Sequence, residues 1–404
     1  MNFINGGVCA AKGFLANGIH CGIRKNKTKR DLSMIYSTVP ANAAAVYTTN
    51  LVKGAPITVT KEHLKDGKAQ AVICNSGNAN TCNADGIDIA NKVSELAADA
   101  LGLAPEDIVI ASTGVIGLQM EIEPFATGIP TLVDGLAENN SEAAAEGIMT
   151  TDTQMKQVAV SFEIDGKECH IGGIAKGSGM IHPNMATMLV FITTDCAISS
   201  QMLQKALSTD IQSTFNMLSV DGDTSTNDMV TVLANGMAGN KEICEEDESF
   251  AEFMKALNTV NVYLCRHIAA DGEGATKLIE CKVSGAKSDC CAKAVAKSVI
   301  CSSLTKAAMF GSDANWGRVL CAIGYSGQNV DVNKIDVAFS SIKGTIDVCK
   351  NGSGIEFSEE IAKEILLENE IEILVNLNDG EYESVAWGCD LTYDYVKING
   401  DYRS

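Results

Sequence analysis

Several things are scarce in this chain, and each shortage narrows what it can do. Proline is rare, with six in 404 residues, and 46% of the residues are hydrophobic, the composition of a soluble globular protein. No apolar run reaches the roughly 18–20 residues that a membrane-spanning helix needs. Basic residues are outnumbered, 31 against 51 acidic, and the resulting net charge of −20 argues against a nucleic-acid partner. Histidines number five and stand apart, so a zinc site is not expected. The start, Met-Asn-Phe-Ile-Asn-Gly-Gly, has no charged stretch followed by an apolar one, and the expected location is therefore the cytoplasm. No repeat of 20–50 residues, Walker loop, G-x-G-x-x-G fingerprint or G-x-S-x-G elbow is found.

Cysteine, by contrast, is abundant. The fifteen thiols form no C-x-x-C pair, and many stand in apolar strings, as at Cys74, Cys265 and Cys321. They read as buried, reduced, small hydrophobes. The adjacent Cys290 and Cys291 are expected on a surface or in a loop. One basic run, Arg24 to Arg30, departs from the acidic balance. Its preferred reading is a solvated loop, with contact to a phosphorylated ligand left open.

With 404 residues the chain buries a large core in two or three lobes. Strands are expected at 34–37, 44–48, 71–74 and 107–111, with an amphipathic helix ending at Gly102. A helix over 132–149 precedes a hairpin of strands 158–164 and 170–175. Helices follow at 201–207 and 211–218, then a strand at 229–234. The helix from Glu248 to Val262 has a β-branched end that could already be strand. Beyond it come a strand at 278–283, helices at 294–308 and up to Gly324, and strands at 336–340 and 344–348. A helix at 358–367 and two antiparallel strands, 372–377 and 383–391, around Asn378-Asp379-Gly380 close the pattern. The loop D-G-D-T-S-T-N-D, 221–228, lacks the order of a calcium loop.

The stretch from Ala175 to Cys196 is unusual. Its first half, A-K-G-S-G-M-I-H-P-N-M-A, is a glycine-interrupted loop, and Thr187 opens the apolar run M-L-V-F-I. A hydroxyl between a loop and a buried strand suits a nucleophile or an ordinary strand start. Likewise Ser112-Thr113-Gly114, after a buried strand, suits either an oxyanion hole or a plain turn. Glu273 lies between two glycines, which suits a ligand or a solvated turn.

These segments together resemble the ornithine acetyltransferase (glutamate N-acetyltransferase) family of arginine biosynthesis. The matching stretches are Y-T-T-N at 47–50, N-S-G-N-A-N at 75–80, S-T-G-V-I-G at 112–117 and I-M-T-T-D-T at 148–153. A-K-G-S-G-M-I-H-P-N-M-A-T-M-L at 175–189, D-G-D-T-S-T-N-D at 221–228 and D-G-E-G-A-T-K at 271–277 continue the series. G-S-D-A-N-W-G-R at 311–318 and the C-terminal Y-V-K-I-N-G-D-Y-R-S complete it. The resemblance implies an α/β sandwich of mixed sheets and helices of the autoprocessed N-terminal-nucleophile type. It implies cleavage between Ala186 and Thr187 into an α chain, 1–186, and a β chain, 187–404, which could subdivide near 280. Two of each would assemble.

By the same resemblance Thr187 is the nucleophile, the Thr113 hydroxyl and Gly114 N–H form the oxyanion hole, and Thr150, Lys176, Thr187, Glu273, Asn399 and Ser404 bind substrate. Acetyl would pass from N2-acetylornithine to glutamate through acetyl-Thr187. No cofactor is implied, and whether acetyl-CoA is a second acetyl donor is left open. The rival reading is an aminopeptidase or amidase of the same architecture that passes the acyl group to water. His182 is read as structural.

Overall fold

The sixteen residues Leu32–Tyr47 form one continuous strand, joining the two shorter segments expected at 34–37 and 44–48. Pro40 sits exposed within it, where the pairing to Lys68–Asn78 shifts between Tyr36 and Ala41. A residue without an N–H is tolerated at such an irregularity because no ladder bond is lost there. The computed structural model describes residues 1–182 and 188–400.

Among the described residues this strand belongs to a nine-stranded mixed sheet. Its spatial order is Asn2–Ile4, Lys156–Ile164, Lys167–Lys176, Leu189–Thr194, Met229–Ala234, Leu32–Tyr47, Lys68–Asn78 and Ile108–Val115, with Phe14–Ile19 paired to Leu32–Tyr47 off this path. A seven-stranded sheet runs Ser353–Gly354, Gly344–Lys350, Asp336–Ser341, Glu370–Asn376, Leu278–Ala286, Tyr382–Cys389 and Leu218–Ser219.

Helix Glu248–Ala270 packs on strands of both sheets. Phe253, Leu257, Val260, Leu264 and Ile268 recur at helical spacing and are all buried, so one apolar face seals the larger core. Asp247 caps its start by accepting from the Phe250 N–H at 2.9 Å. The architecture is a mixed α/β sandwich, the expected fold class.

Several expected elements differ. The region 132–149 is two helices, Glu123–Asp134 and Ser141–Ile148, separated at Gly135. Only Ser200–Asp210 is an α-helix in the next pair; Phe215–Met217 is a 3-10 turn and Leu218–Ser219 pairs with the second sheet. Glu248–Ala270 stays helical through its β-branched end, because that face is buried. The helix 294–308 is two helices, Asp289–Cys301 and Ser303–Phe310; the Ser302 side chain accepts from the Thr305 N–H and so starts a new one. Strands Glu370–Asn376 and Tyr382–Cys389 form no hairpin, since Leu278–Ala286 lies between them and pairs with both.

The cysteines divide. Cys74, Cys169, Cys196, Cys265, Cys281, Cys291, Cys349 and Cys389 are buried, as expected of small hydrophobes, while Cys82, Cys244, Cys290 and Cys321 are exposed. Cys290 and Cys291 are in the first turn of a helix rather than in a loop, one facing solvent and one facing the core. Helical geometry swings adjacent residues by about 100°, which parts such neighbours.

Candidate active site

The apolar run Ile108–Ala111 is buried as a strand, parallel to Lys68–Asn78, and it carries Thr113 and Gly114 to the ends of both strands. Thr113 is 9% exposed. Gly114 has φ +133° and Gly77, its register partner, φ +101°. These values are open to glycine and closed to most other residues. The amide-rich segment 75–80 is largely the end of this strand. Its side chains tie the ends together: Ser112 Oγ donates to Asn75 Oδ1 at 2.6 Å, and Asn78 Nδ2 donates to the carbonyls of Leu118 and Gln119.

A cavity of about 370 Å³ opens at this point, lined among others by Gly77, Gly114, Thr150, Arg24, Lys25 and Lys29. The basic run 24–30 is an exposed loop, as expected, and Arg24, Lys25 and Lys29 of it border this cavity. Arg24 is fixed from below, its guanidinium donating to the Met149 carbonyl. A larger groove of about 810 Å³ runs along the second sheet and contains none of the expected site residues.

Lys176 ends its strand opposite Leu189 and is 8% exposed. Thr150 is half-buried. Asp152 joins the two: its Oδ2 accepts from the Thr150 N–H at 2.9 Å, and its Oδ1 accepts from the N–H of Gly177, next to Lys176, at 2.7 Å. Burial alone would raise the Asp152 carboxyl, yet Lys156 and then Lys176 outweigh it and hold the group well below the usual carboxylate range.

Glu273 approaches from the turn after the long helix and is 7% exposed. Its N–H donates to the Ser178 carbonyl at 3.0 Å, and Asn399 Nδ2 donates to its Oε2 at 2.8 Å. A Cβ on Gly179 would lie 2.3 Å from this carboxylate, so a larger residue there would displace the Glu273 side chain from its present position. The tail bearing Asn399 is helix Tyr393–Gly400.

Ala186, Thr187 and Ser404 lie outside the described residues. Both flanks of 183–187 are pinned. Asp221 accepts from the N–H groups of Met180 and Ile181, and Thr224 Oγ1 donates to the His182 carbonyl. On the other side the Met229 N–H donates to the Met188 carbonyl at 2.9 Å. His182 Nδ1 lies 3.0 Å from Ser219 Oγ and 3.6 Å from Cys301 Sγ. Burial, with Lys297 nearby, pushes the imidazole down to about 4, so at neutral pH it is uncharged. The loop 221–228 also reaches the end of strand Ile108–Val115, where Asn227 Nδ2 donates to the carbonyls of Ala79 and Ser112.

A family model described as the ArgJ family matches residues 15–404. The chain belongs to the ArgJ family. It is 49% identical, over 100% of both chains, to the arginine biosynthesis bifunctional protein ArgJ of Caldanaerobacter subterraneus subsp. tengcongensis. It is 50% identical to ArgJ 1 of Clostridium acetobutylicum, covering 97% of this chain and 96% of that one. The crystal structure of the ArgJ protein from Bacillus halodurans is 50% identical with a TM-score of 0.50, and the match covers 97% of that chain but 52% of this one. As a member of ArgJ, a family of bifunctional arginine-biosynthesis proteins, the chain is an acyltransferase.

Among the ArgJ site residues expected from the sequence, the structure gathers Gly114 and Thr150 at one cavity. Lys176 is tied to Thr150 through Asp152, and Glu273 pairs with Asn399. Asp152, Lys156, Asp228 and Asp271 were not singled out as site residues. Asp152 is within the I-M-T-T-D-T stretch and Asp228 ends D-G-D-T-S-T-N-D, but neither stretch says which of its side chains is buried.

Proposed function

We propose that this protein transfers the acetyl group of N2-acetyl-L-ornithine to L-glutamate through an ester on Thr187, having first cleaved itself between Ala186 and Thr187. The arrangement of Gly114 and Thr150 around one cavity, with Thr113 beside Gly114 on the same strand, carries the reading. Once Thr187 heads its own chain, its α-amine, with a reference pKa near 7.7–8.0, stands beside the hydroxyl as a base. The amine takes the hydroxyl proton while Oγ bonds to the amide carbon. The developing oxyanion accepts from the Thr113 hydroxyl and the Gly114 N–H. Collapse breaks the C–N bond, the proton passes to the departing ornithine amine, and acetyl-Thr187 remains. Glutamate's amine then attacks the ester and regenerates the threonine.

In this reading Lys176 pairs with the α-carboxylate that both substrates share, and Glu273 meets the ornithine ammonium. Asn399, already a donor to Glu273, offers an amide that suits either an ammonium or the side-chain carboxylate of glutamate. Ser404 completes the substrate contacts. A crystallised relative about half this length is the size of fragment that cleavage after Ala186 gives. No described helix is long and apolar enough to cross a membrane. The cleaved halves assemble as two α and two β chains in the cytoplasm, without a cofactor.

A second donor, acetyl-CoA, is favoured by one observation. Arg24, Lys25 and Lys29 line the same cavity as Gly114 in a protein of net charge −20, and such a cluster suits the phosphates of a nucleotide-bearing donor.

Intact mass of the purified protein tests the proposal: two chains parting after Ala186 are expected, with ornithine release that depends on glutamate. Thr187→Ala is expected to remain one chain without transfer. Transfer retained by that variant would remove Thr187 as nucleophile, and release independent of glutamate would favour the hydrolase.

A further inference from the structure

Lys156 is a lysine buried to 1% exposure, far from the usual place of an ammonium. Its Nζ donates to Asp152 Oδ1 at 2.7 Å, to Asp271 Oδ2 at 2.6 Å and to the Gln154 carbonyl at 3.2 Å. Both carboxylates are themselves buried. Each then reaches further into backbone. Asp152 accepts from the N–H groups of Thr150 and Gly177. Asp271 accepts from the N–H and hydroxyl of Thr153 and from the Gln154 N–H. The Asp271 carbonyl accepts from Ser178 Oγ at 2.7 Å, and the Ser178 carbonyl in turn accepts from the Glu273 N–H.

Segments 150–156 and 271–273 therefore meet on one ammonium, and a third, 176–178, is bound to both of its carboxylate-bearing residues, Asp152 and Asp271. Each bears one of the side chains assigned above to substrate, namely Thr150, Lys176 and Glu273. A buried ion network contributes little net stability, because desolvation offsets its attraction. Removing one partner, in contrast, leaves a buried charge uncompensated, which is costly, so the arrangement resists displacement of any one member.

We propose that Lys156, Asp152 and Asp271 are positioning residues that set the spacing of Thr150, Lys176 and Glu273, and so the binding of both amino-acid substrates. This rests on the acetyl-transfer reading above. The three groups do not themselves meet substrate. Lys156 bridges Asp152 and Asp271, and through their hydrogen bonds it fixes where the Thr150, Gly177 and Glu273 backbones lie.

The test is steady-state kinetics of Asp271→Asn and Lys156→Met, alongside the parent and with thermal melting of each. Asp271→Asn keeps an acceptor for Thr153 and leaves the Lys156–Asp152 pair whole, so it carries the test if Lys156→Met does not fold. The expected result for folded variant is a fall in kcat/KM on the order of tenfold to a hundredfold, the scale of an ångström of misplacement. The loss should appear in KM for N-acetylornithine and for glutamate alike, with kcat changed less. A lower melting temperature with both KM values unchanged would mean a merely structural network and would overturn the proposal. A parent that moves no acetyl would instead remove the acetyl-transfer reading, and the proposal's substrates with it.

Discussion

Gly114 and Gly77 approach so closely that a Cβ on Gly114 would lie 2.3 Å from the Gly77 carbonyl carbon. Both are at positive φ, and both line the cavity that also holds Thr150. The close approach aligns the ends of two parallel strands, and the candidate oxyanion donor sits at that junction. Gly114→Ala must therefore push the strand ends apart or adopt a φ of +133° that alanine resists, at about 1–3 kcal/mol of strain. Acetyl transfer is expected to fall by more than the melting temperature suggests, since the donor N–H moves with the strand. Activity at parental level in a folded Gly114→Ala protein would show that this N–H is not used.

Glu273 and Asn399 form a buried-to-exposed pair, one in the turn after the long helix and the other on the C-terminal helix. Glu273→Gln keeps the shape and removes the charge. A charge-assisted bond is worth roughly 1.5–3 kcal/mol, or about tenfold to a hundredfold in binding. KM for N-acetylornithine should rise by that factor, and KM for glutamate should fall or stay. Equal changes in both would argue against Glu273 as the ammonium's partner.

The exposed thiols give a prediction of a different kind. Cys82, Cys244, Cys290 and Cys321 face solvent, whereas burial pushes thiols such as Cys265 and Cys281 well above their ordinary pKa. Thiolate is the reactive form, so the buried thiols are shielded twice over. Brief alkylation of native protein followed by peptide mass spectrometry should label those four first. Cys265 and Cys281 should label only after denaturant; early labelling of either would contradict the packing.

Much of the local structure was legible because it depends on near neighbours. Strand Ile108–Val115 follows from an apolar run, and the turn at Gly102 from a glycine with φ +70°. What failed depends on residues far away in the chain. Asn378-Asp379-Gly380 reads as a hairpin turn, yet a strand from a hundred residues earlier takes the place between its arms. Likewise nothing near Lys156 announces Asp271, which is 115 positions distant. The basic run is the exposed loop its polar neighbours in sequence suggest, but its neighbours in space, Gly77, Gly114 and Thr150, are not legible from them.

Asp228 supplies a pH test. Its carboxyl is wholly buried, and one oxygen, Oδ2, has no hydrogen-bond partner among the described residues. Burial raises its pKa well above the usual carboxylate value, and Ser225 and Lys176 draw it back only in part. The sign follows from linkage. The folded protein holds a proton that the unfolded chain releases near pH 4, so the contribution to stability is complete below that pH. It is lost progressively as pH rises toward the raised folded value. Asn carries no such proton and escapes the loss. The melting temperature of Asp228→Asn relative to the parent should therefore increase steadily between pH 4.5 and 7.5. A difference that stays constant over this range would mean that Asp228 has the same affinity for its proton in both states, and that Lys176 compensates its burial in full.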